Sequence, residues 1–454
     1  MVPRLHEVLG KRIRRLPLAR LLAARHFLGQ VYLVGGAIRE LALGSKPRDY
    51  DLALASKADL PRLESALQAR SFLLGKKPIQ THRIVAQELS VDVTILEGSI
   101  DADLRRRDFT INAVACDITR FHVIDPLEGL ADIERRVIRY PEERSLVDDP
   151  LRMLKAVRHF ASLKGFALDA KLVRAIGTHK ELIRNTAPER IKYELDLIML
   201  SGDPHRAITV LRETGLLFEL VPELLALKSM DEEKGFDLET LGHTLDGFKY
   251  LPRARRFHPF DAEEMKLAAY ALLFHDLGKA HTFSYDEEKG RVHFFYHERH
   301  SVDIAARIME RLRFSTAEAR AISRLIDQHM RLFLISRKEA TERAFHRIVY
   351  KLEELTPALV VLTLLDMYGS SGGRNNASTR MVRNRCRQVL ATHAEWLKEP
   401  LPRLISGRDL LAMGFREGPA LGRVLDDVRE QQIAGELTDS DAALAYARSA
   451  LKGT

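Results

Sequence analysis

The sequence predicts an α+β protein in which a small α/β head precedes a long helical body. Between residues 30 and 140, short β-branched runs (VYLVGG, YDLAL, VDVTIL and FHVIDP) alternate with helical stretches. From about Asp148 onward nearly every segment carries apolar residues at three- and four-residue spacing. At 454 residues the chain is too long for one small domain and fits about two to four units.

The elements follow in order. The N-terminal run MVPRLHEVLGKRIRRLPLARLLAARHFL is basic and amphipathic, without the apolar block and small-residue cleavage site of a signal peptide, and is expected to form a basic surface helix. The head strands come next. The first strongly periodic helix is DDPLRMLKAVRHFASL, where Leu151, Leu154, Val157 and Phe160 recur on one face. Breaks are expected at LVPELLALKSMDEEKGFD, at the polar loop SSGGRNNAST and at KEPLPRLISGRD. There is no internal repeat and no low-complexity tract.

Composition narrows the class of protein. With 46% apolar and 30% charged residues the chain can bury an ordinary core, and no apolar run is long enough to span a bilayer. Only Cys116 and Cys386 are present, so there is no disulfide framework and a reducing cytoplasm fits. A net charge of +8, a pI near 9.3 and the arginine clusters LRRRD and RMVRNRCR point to a polyanionic partner. On charge alone a solvated basic face explains them equally well.

The stretch GGAIRELALGSKPRDYDLAL carries the first chemistry. Alternation on a strand sends Asp49 and Asp51 to one face, with Tyr50 and Leu52 opposite. Two like charges so placed repel unless a cation lies between them, and Mg²⁺ is commonly held by carboxylates together with substrate phosphates. Gly35 and Gly36 would let backbone amides approach a triphosphate, to which Arg39 offers charge. Asp92, in SVDVTIL, is a candidate third carboxylate. Ordinary turn chemistry also produces Asp-x-Asp at a strand end, and the residues alone leave both readings open.

This stretch resembles the first signature of the class II nucleotidyltransferases, the bacterial-type enzymes that build or repair tRNA 3′-CCA ends, together with bacterial poly(A) polymerases. The family usually has Asp where this chain has Glu40. Four further motifs follow in order: RRDFTINAVACD, DPLEGLADIERRVIR, DDPLRMLKAVRHF and PERIKYELDLIM. The resemblance implies a small mixed-sheet head (residues 1–140), a helical nucleotide-selecting neck (141–235), a helical body (236–370) and a helical tail (371–454). It also implies Asp49 and Asp51 as the catalytic metal ligands. Arg107, Asp108 and Asn112 would serve the sugar and phosphates, a polar set able to favour a 2′-hydroxyl; Arg158 and Arg190 in the neck motifs would contact nucleotide.

Asp149 and Arg152 lie three apart on an expected helix, so both project from one face. A carboxylate only accepts hydrogen bonds and a guanidinium only donates them. Together they suit an exocyclic amine beside a ring acceptor, which cytosine and adenine present and uracil and guanine do not. The family uses this position as a protein template, usually as Glu-Asp-x-x-Arg; here Asp148 replaces the Glu. Taken without the motifs, the same pair is an i,i+3 surface salt bridge. The implied reaction is in-line attack of a primer 3′-hydroxyl on the α-phosphate of CTP or ATP with Mg²⁺. Only about a dozen residues separate Asp92 from Arg106, where CCA-adding relatives carry a longer flexible loop and CC-adding relatives a shortened one.

Further on, LLFHDLGKAHTF holds His275–Asp276 with Gly278 and Lys279 behind them, a pair that helix capping alone explains. His243, His297, His300, His329 and Asp366 follow in an order that would gather imidazoles and carboxylates from several helices around one or two metals. The segment resembles the phosphohydrolase domain named for its His-Asp pair. That implies His243, His275, Asp276 and Asp366 as minimal ligands, His297 and His329 as an extension, and nickel, manganese, a similar transition metal or Mg²⁺ as the ion. Some CCA-adding relatives use this domain on phosphate ends. The C-terminal SGRDLLAMGFREGPALGRVLDDVREQQIAGELTDSDAALAYA resembles the tRNA-holding tail, with Gly414, Gly418 and Pro419 breaking helices and Gly422 permitting a close backbone approach. The expected partners are tRNA, CTP and ATP, with no membrane. A poly(A) polymerase of the same class, or a phosphohydrolase with a nucleotide-binding head, are the alternatives.

Overall fold

The structure is a computed structural model that describes residues 2–47, 49–74, 81–86, 89–234, 239–336, 340–399 and 402–451. The chain forms two compact units, residues 1–221 and 222–454.

The first unit is built on a seven-stranded sheet. Its strands are β1 (Val31–Val34), β2 (Asp49–Leu54), β3 (Ser71–Leu74), β4 (Thr81–Ala86), β5 (Leu89–Ile95), β6 (Ala115–Asp117) and β7 (His122–Ile124), in the order β3-β4-β5-β2-β1-β6-β7. Every neighbouring pair is antiparallel except β2 with β5, so the sheet is mixed. The central strand β1 is buried along its whole length, as its unbroken VYLV predicts. The N-terminal helix α1 (Val2–Arg14) packs on helix α2 (Gly36–Ala42), with Leu9 and Ile13 fully buried and Lys11 and Arg14 exposed. The surface helix expected from the sequence is thus anchored by two residues whose burial contributes about 1.5–3 kcal/mol each.

The connecting segment is stapled from inside. Asp125 accepts from the amides of Gly129 and Leu130 at 2.7 and 2.9 Å. Asp132, buried, accepts from the Thr110 hydroxyl at 2.6 Å and from Arg139 at 3.0 Å. A Cβ on Gly129 would lie 2.1 Å from the Thr110 carbonyl, so only glycine allows this approach. After the sheet come helices α4 (Leu151–Ser162) and α5 (Pro188–Met199), with α3 (Ile100–Arg105) before β6. Leu151, Leu154 and Val157 are buried on α4, while Phe160 is half-buried under the Arg206 guanidinium, 3.8 Å from its ring centre. A two-stranded parallel pair, β8 (Val137–Ile138) with β9 (Ala167–Leu168), ties the segment before the neck to the end of α4.

Among its described residues the second unit is helical apart from a hairpin, β10 (Phe283–Asp286) with β11 (Arg291–Phe294). This hairpin and β9 depart from the all-helical body expected after Asp148. The hairpin was foreseeable in part: FSYDEEKGRVHF sets aromatic and β-branched residues around a turn that closes on Gly290 at φ +59°. The core helices are α6 (Thr240–Gly247), α7 (Ala262–Phe274), α8 (His297–Arg311), α9 (Thr316–Gln328), α10 (Arg331–Ser336), α11 (Thr356–Ser371) and α12 (Ala377–Lys398). Nearly all of α11 is buried, as the TPALVVLTLLDMYG run requires. A Cβ on Gly369 would lie 2.5 Å from the His243 carbonyl, so α11 and α6 pack backbone to backbone.

The expected breaks hold at residues 372–376 and around the described part of KEPLPRLISGRD. Of the first expected break, residues 221–223 interrupt the helices, but Leu224–Lys234 is itself helical, and residues 235–237 lie outside the described residues. In the tail, Gly407–Ala412 and Pro419–Ile433 are separate helices broken at Gly414 and Gly418. At Gly422 a Cβ would meet nothing within 4 Å among the described residues. Cys116 and Cys386 are free and buried.

Candidate active and metal sites

In the head, β2 runs parallel to β5 with Asp51 opposite Asp92 and Asp49 opposite Ser90. Alternation along β2 puts Asp49 and Asp51 on one face, while Tyr50 and Leu52 are buried on the other. Burial, and then the charges of Asp92, Asp49 and Asp108, outweigh Arg107 and push Asp51 up to about 6. Such a carboxylate cluster has the donor set a divalent cation neutralises. Asp92 meanwhile takes a two-pronged ion pair from Arg83, at 2.7 Å on each oxygen, a partner that no local pattern announces.

Gly35 shapes the cluster. Its φ is +74°, and a Cβ would lie 2.9 Å from an Arg107 nitrogen and 3.0 Å from Asp51 Oδ2. Arg107 is steadied by Asp103, 3.1 Å away, on the turn of helix just before it. From Arg39 a polar chain runs through Asn112, whose side-chain oxygen accepts from Arg39 and whose amide donates to Asp108 at 3.0 Å. Burial alone would raise Asp108. The Lys155 charge, with hydrogen bonds from Asn112 and the Phe109 amide, holds it below the usual carboxylate range instead. His159 is buried edge-on against Phe109 and held far below its ordinary value by burial and by Arg158 and Arg39. Arg158 pairs with buried Glu194 at 2.8 Å across α4 and α5. Lys155, His159 and Glu194 were missed in the sequence because their only mark there is a place on the apolar side of a helix.

The nucleotide-selecting pair needs a correction. Asp149 is not on α4: its φ of −139° and ψ of 90° are extended, because the residue before Pro150 is pushed out of the helical region. Asp149 and Arg152 therefore do not project from one helical face. Arg152 donates to the carbonyl oxygens of Arg106 and Arg107 at 2.7 and 3.2 Å, and Asp149 accepts from Arg190 at 3.2 Å. Asp148, where the family has Glu, is an exposed residue 3.6 Å from Arg144.

In the second unit the histidines converge. His243 Nε2 lies 2.9 Å from Asp276 Oδ2, and His275 Nε2 lies 3.2 Å from the same oxygen and 3.7 Å from Asp366 Oδ1. His297 Nε2 lies 3.4 Å from Asp276 Oδ1 and 3.2 Å from His329 Nε2. Two ligand sets result: His243, His275 and Asp366, and His275, Asp276 and His329. The Nδ1 atoms of His275, His297 and His329 face the carbonyl oxygens of Leu272, Phe294 and Ile326 at 2.7, 2.9 and 2.6 Å. Donation from Nδ1 leaves each Nε2 lone pair aimed inward, the arrangement metal-ligating imidazoles adopt. His275 Nε2 is buried facing the Asp276 and Asp366 carboxylates, as a ligand atom in this position would be. Burial opposes charge on His275, but Asp276 and Asp366 overcome it and push it up to about 10; burial and the His275 charge push His329 down to about 3. His300 is exposed outside the cluster. Gly278 explains its place in HDLGK: a Cβ there would lie 2.2 Å from the His297 carbonyl, so glycine lets α8 close on the His-Asp turn.

Residues 31–139 match the family described as Poly A polymerase head domain, 165–228 the one described as probable RNA and SrmB-binding site of polymerase A, and 240–368 the HD domain. The chain is 32% identical to a CC-adding tRNA nucleotidyltransferase of Thermus thermophilus, over 91% of this chain and 92% of the relative. The chain belongs to the tRNA nucleotidyltransferase family. It is also 31% identical to an A-adding tRNA nucleotidyltransferase of Deinococcus radiodurans, over 91% and 94% of the two chains. Its fold matches the CCA-adding enzyme of Bacillus stearothermophilus crystallised with CTP, at a TM-score of 0.60, 21% identity and 97% and 98% coverage. Family membership accounts for the order of the motifs from Gly35 to Met199 and for an HD cluster in the same chain. No helix among the described residues is long and apolar enough to cross a membrane.

Proposed function

We propose that this protein extends the 3′ end of tRNA with C and A residues from CTP and ATP, without a nucleic-acid template, and that its HD domain hydrolyses phosphate groups on RNA ends. The observation that carries the first part is the cluster of Asp49, Asp51 and Asp92 on one face of β2 and β5, beside Gly35 and Arg107. Asp49 and Asp51, with Asp92, would hold Mg²⁺, which supplies neutralisation of the triphosphate and of the developing charge at the reacting oxygens when bound. Arg39 and Arg107 offer charge to the phosphates. Asp108 and Asn112, held by their mutual hydrogen bond, would serve the ribose hydroxyls. For Asp149 and Arg152 to read a base, Arg190 and the carbonyl oxygens of residues 106 and 107 must yield their places to it. Asp149 then accepts from the exocyclic amine of C or A while Arg152 donates to the ring nitrogen.

In the HD domain His243, His275, Asp276 and Asp366 would hold one ion of nickel, manganese or magnesium, with His297 and His329 widening the site, and the metal supplies an activated water when bound. Addition of C alone is the second reading. Only residues 96–99 join β5 to α3, leaving no room for a long flexible loop. Relatives of both partial specificities match about equally, at 32% and 31%. Product length on a tRNA lacking its end, with CTP alone, ATP alone and both, tests all of this. Stepwise addition of C supports it, and long A tails indifferent to CTP overturn it.

A further inference from the structure

We propose that the N-terminal helices of the head form a second anion site, separate from the catalytic carboxylates, which takes an oligophosphate: pyrophosphate, triphosphate or the phosphate chain of a free nucleotide. Lys11, Arg14, Arg15 and Arg20 line a cavity of about 660 Å³, and Phe121, Ala23 and Ala24 complete its lining. Small-ligand sites run from about 300 to 1,000 Å³, so the hollow has the size for a nucleotide and none for a duplex. Four cations around one hollow repel one another until an anion lies among them. Among the described residues no carboxylate lines the cavity, and none pairs with Arg14, Arg15 or Arg20. Only Lys11 has an acidic neighbour, Glu7 one turn back on α1.

The cations are held together by local structure. Arg20, on the short helix Pro17–Ala23, reaches back and donates from Nε to the Arg14 carbonyl at 3.2 Å, linking that helix to the end of α1. Phe121 ends the turn between β6 and β7 at φ +56°, a left-handed conformation that large side chains rarely take. Asp117 Oδ1 braces this turn, accepting from the Thr119 and Arg120 amides at 2.8 and 3.2 Å. The ring so placed lies 4.8 Å from the Arg14 guanidinium, a cation–π contact that steadies one cation at the cavity. Arg12, between the lining residues in sequence, instead donates to the Leu41 and Ala42 carbonyl oxygens at 2.6 and 3.2 Å. These carbonyls belong to the end of α2 opposite Gly35 and Gly36, and the pocket shares no residue with the catalytic cluster.

The same residues set what the pocket reads. A single phosphate carries at most two charges and leaves cations unmatched, whereas a triphosphate matches all four. Arg14 already occupies the Phe121 ring, and ammonium and guanidinium groups only donate, so the lining holds no acceptor side chain to choose a base edge. The site therefore recognises the phosphate chain and is indifferent to the base.

The test uses full-length protein with ¹³C-labelled alanine methyls, in EDTA. Sodium triphosphate should shift the Ala23 and Ala24 resonances, CTP should do so with an affinity within about threefold, and inorganic phosphate should bind at least about tenfold more weakly. Arg15→Ala/Arg20→Ala should weaken triphosphate binding about tenfold or more, as loss of two charged contacts requires, with circular dichroism unchanged. Arg15→Gln, which leaves the Arg20 link between the helices intact, should weaken it about threefold or more. Arg107→Ala, in the catalytic cluster, should leave the shifts in place. Unmoved methyls overturn the proposal, as do shifts that survive the double variant or vanish in Arg107→Ala. So do shifts given by CTP or by tRNA but not by triphosphate, which would make the surface a base-reading or nucleic-acid contact instead.

Discussion

Asp51 stands directly opposite Asp92 on parallel strands, and Asp51 is pushed up to about 6, first by burial and then by its acidic neighbours. Buried among other carboxylates, Asp51 holds its proton more tightly than a free carboxyl, and a cation there favours its ionised form. Asp51→Asn should therefore lower nucleotide incorporation about a thousandfold or more, since a metal contributes several kcal/mol to such a transition state and each 1.4 kcal/mol is tenfold. Steady-state incorporation on a tRNA primer measures this, and circular dichroism should show the fold retained.

The same shift fixes the sign of a pH effect. A carboxyl raised from 3.8 to about 6 binds its proton more tightly in the folded chain. Its contribution favours folding in acid and is lost as pH rises from about 4 through 6. Mg²⁺ binding runs the other way, because the ion needs the ionised carboxylate. Its affinity should fall about tenfold per pH unit below pH 6 and level off above it. Calorimetric titration of Mg²⁺ at pH 5, 6 and 7 measures this, and the slope should vanish in Asp51→Asn.

Gly35 has no substitute that fits. Alanine there must accept φ near +74° and a Cβ within about 3 Å of Arg107 and Asp51. Gly35→Ala should cost about 1–3 kcal/mol of stability and displace Arg107, weakening triphosphate binding as well. Denaturant unfolding together with KM for CTP separates the two effects.

Buried Glu194 depends on Arg158. Burial raises this carboxyl, and Arg158 at 2.8 Å is the leading charge that holds it down. Arg158→Ala should destabilise the fold by about 3 kcal/mol by stranding a buried charge, and the additional change Glu194→Gln should recover most of it. Urea unfolding of the two single variants and the double variant measures the coupling.

The HD cluster makes a separable prediction. His275→Ala removes the imidazole common to both ligand sets and should abolish transition-metal content measured by mass spectrometry, while CTP incorporation persists. His300→Ala, outside the cluster, should leave metal content unchanged.

Much of the architecture could be read from the chain because its periodicities were clean. The buried strand VYLV, the alternating DYDLAL and the apolar stripe of α4 each announce their element and their buried face. Ligand convergence was legible for His243, His275, Asp276, His297, His329 and Asp366, because imidazoles and carboxylates recur there in a recognisable order. Less visible were the partners that hold functional groups in place. Arg83 reaches Asp92 from a neighbouring strand, and Glu194 reaches Arg158 from another helix; both depend on register and packing rather than on local pattern. The Asp149 placement failed for a local reason that was in plain view, the proline that follows it. The β10/β11 hairpin was overlooked because long helices surround it.

The most direct test of the central claim compares wild-type protein with Asp49→Ala/Asp51→Ala on a tRNA lacking its 3′ end, using labelled CTP and ATP with Mg²⁺. The account predicts template-free addition of C by the wild type and none by the variant. Incorporation that survives the double change, or a wild type that ignores CTP and polymerises A, would contradict it.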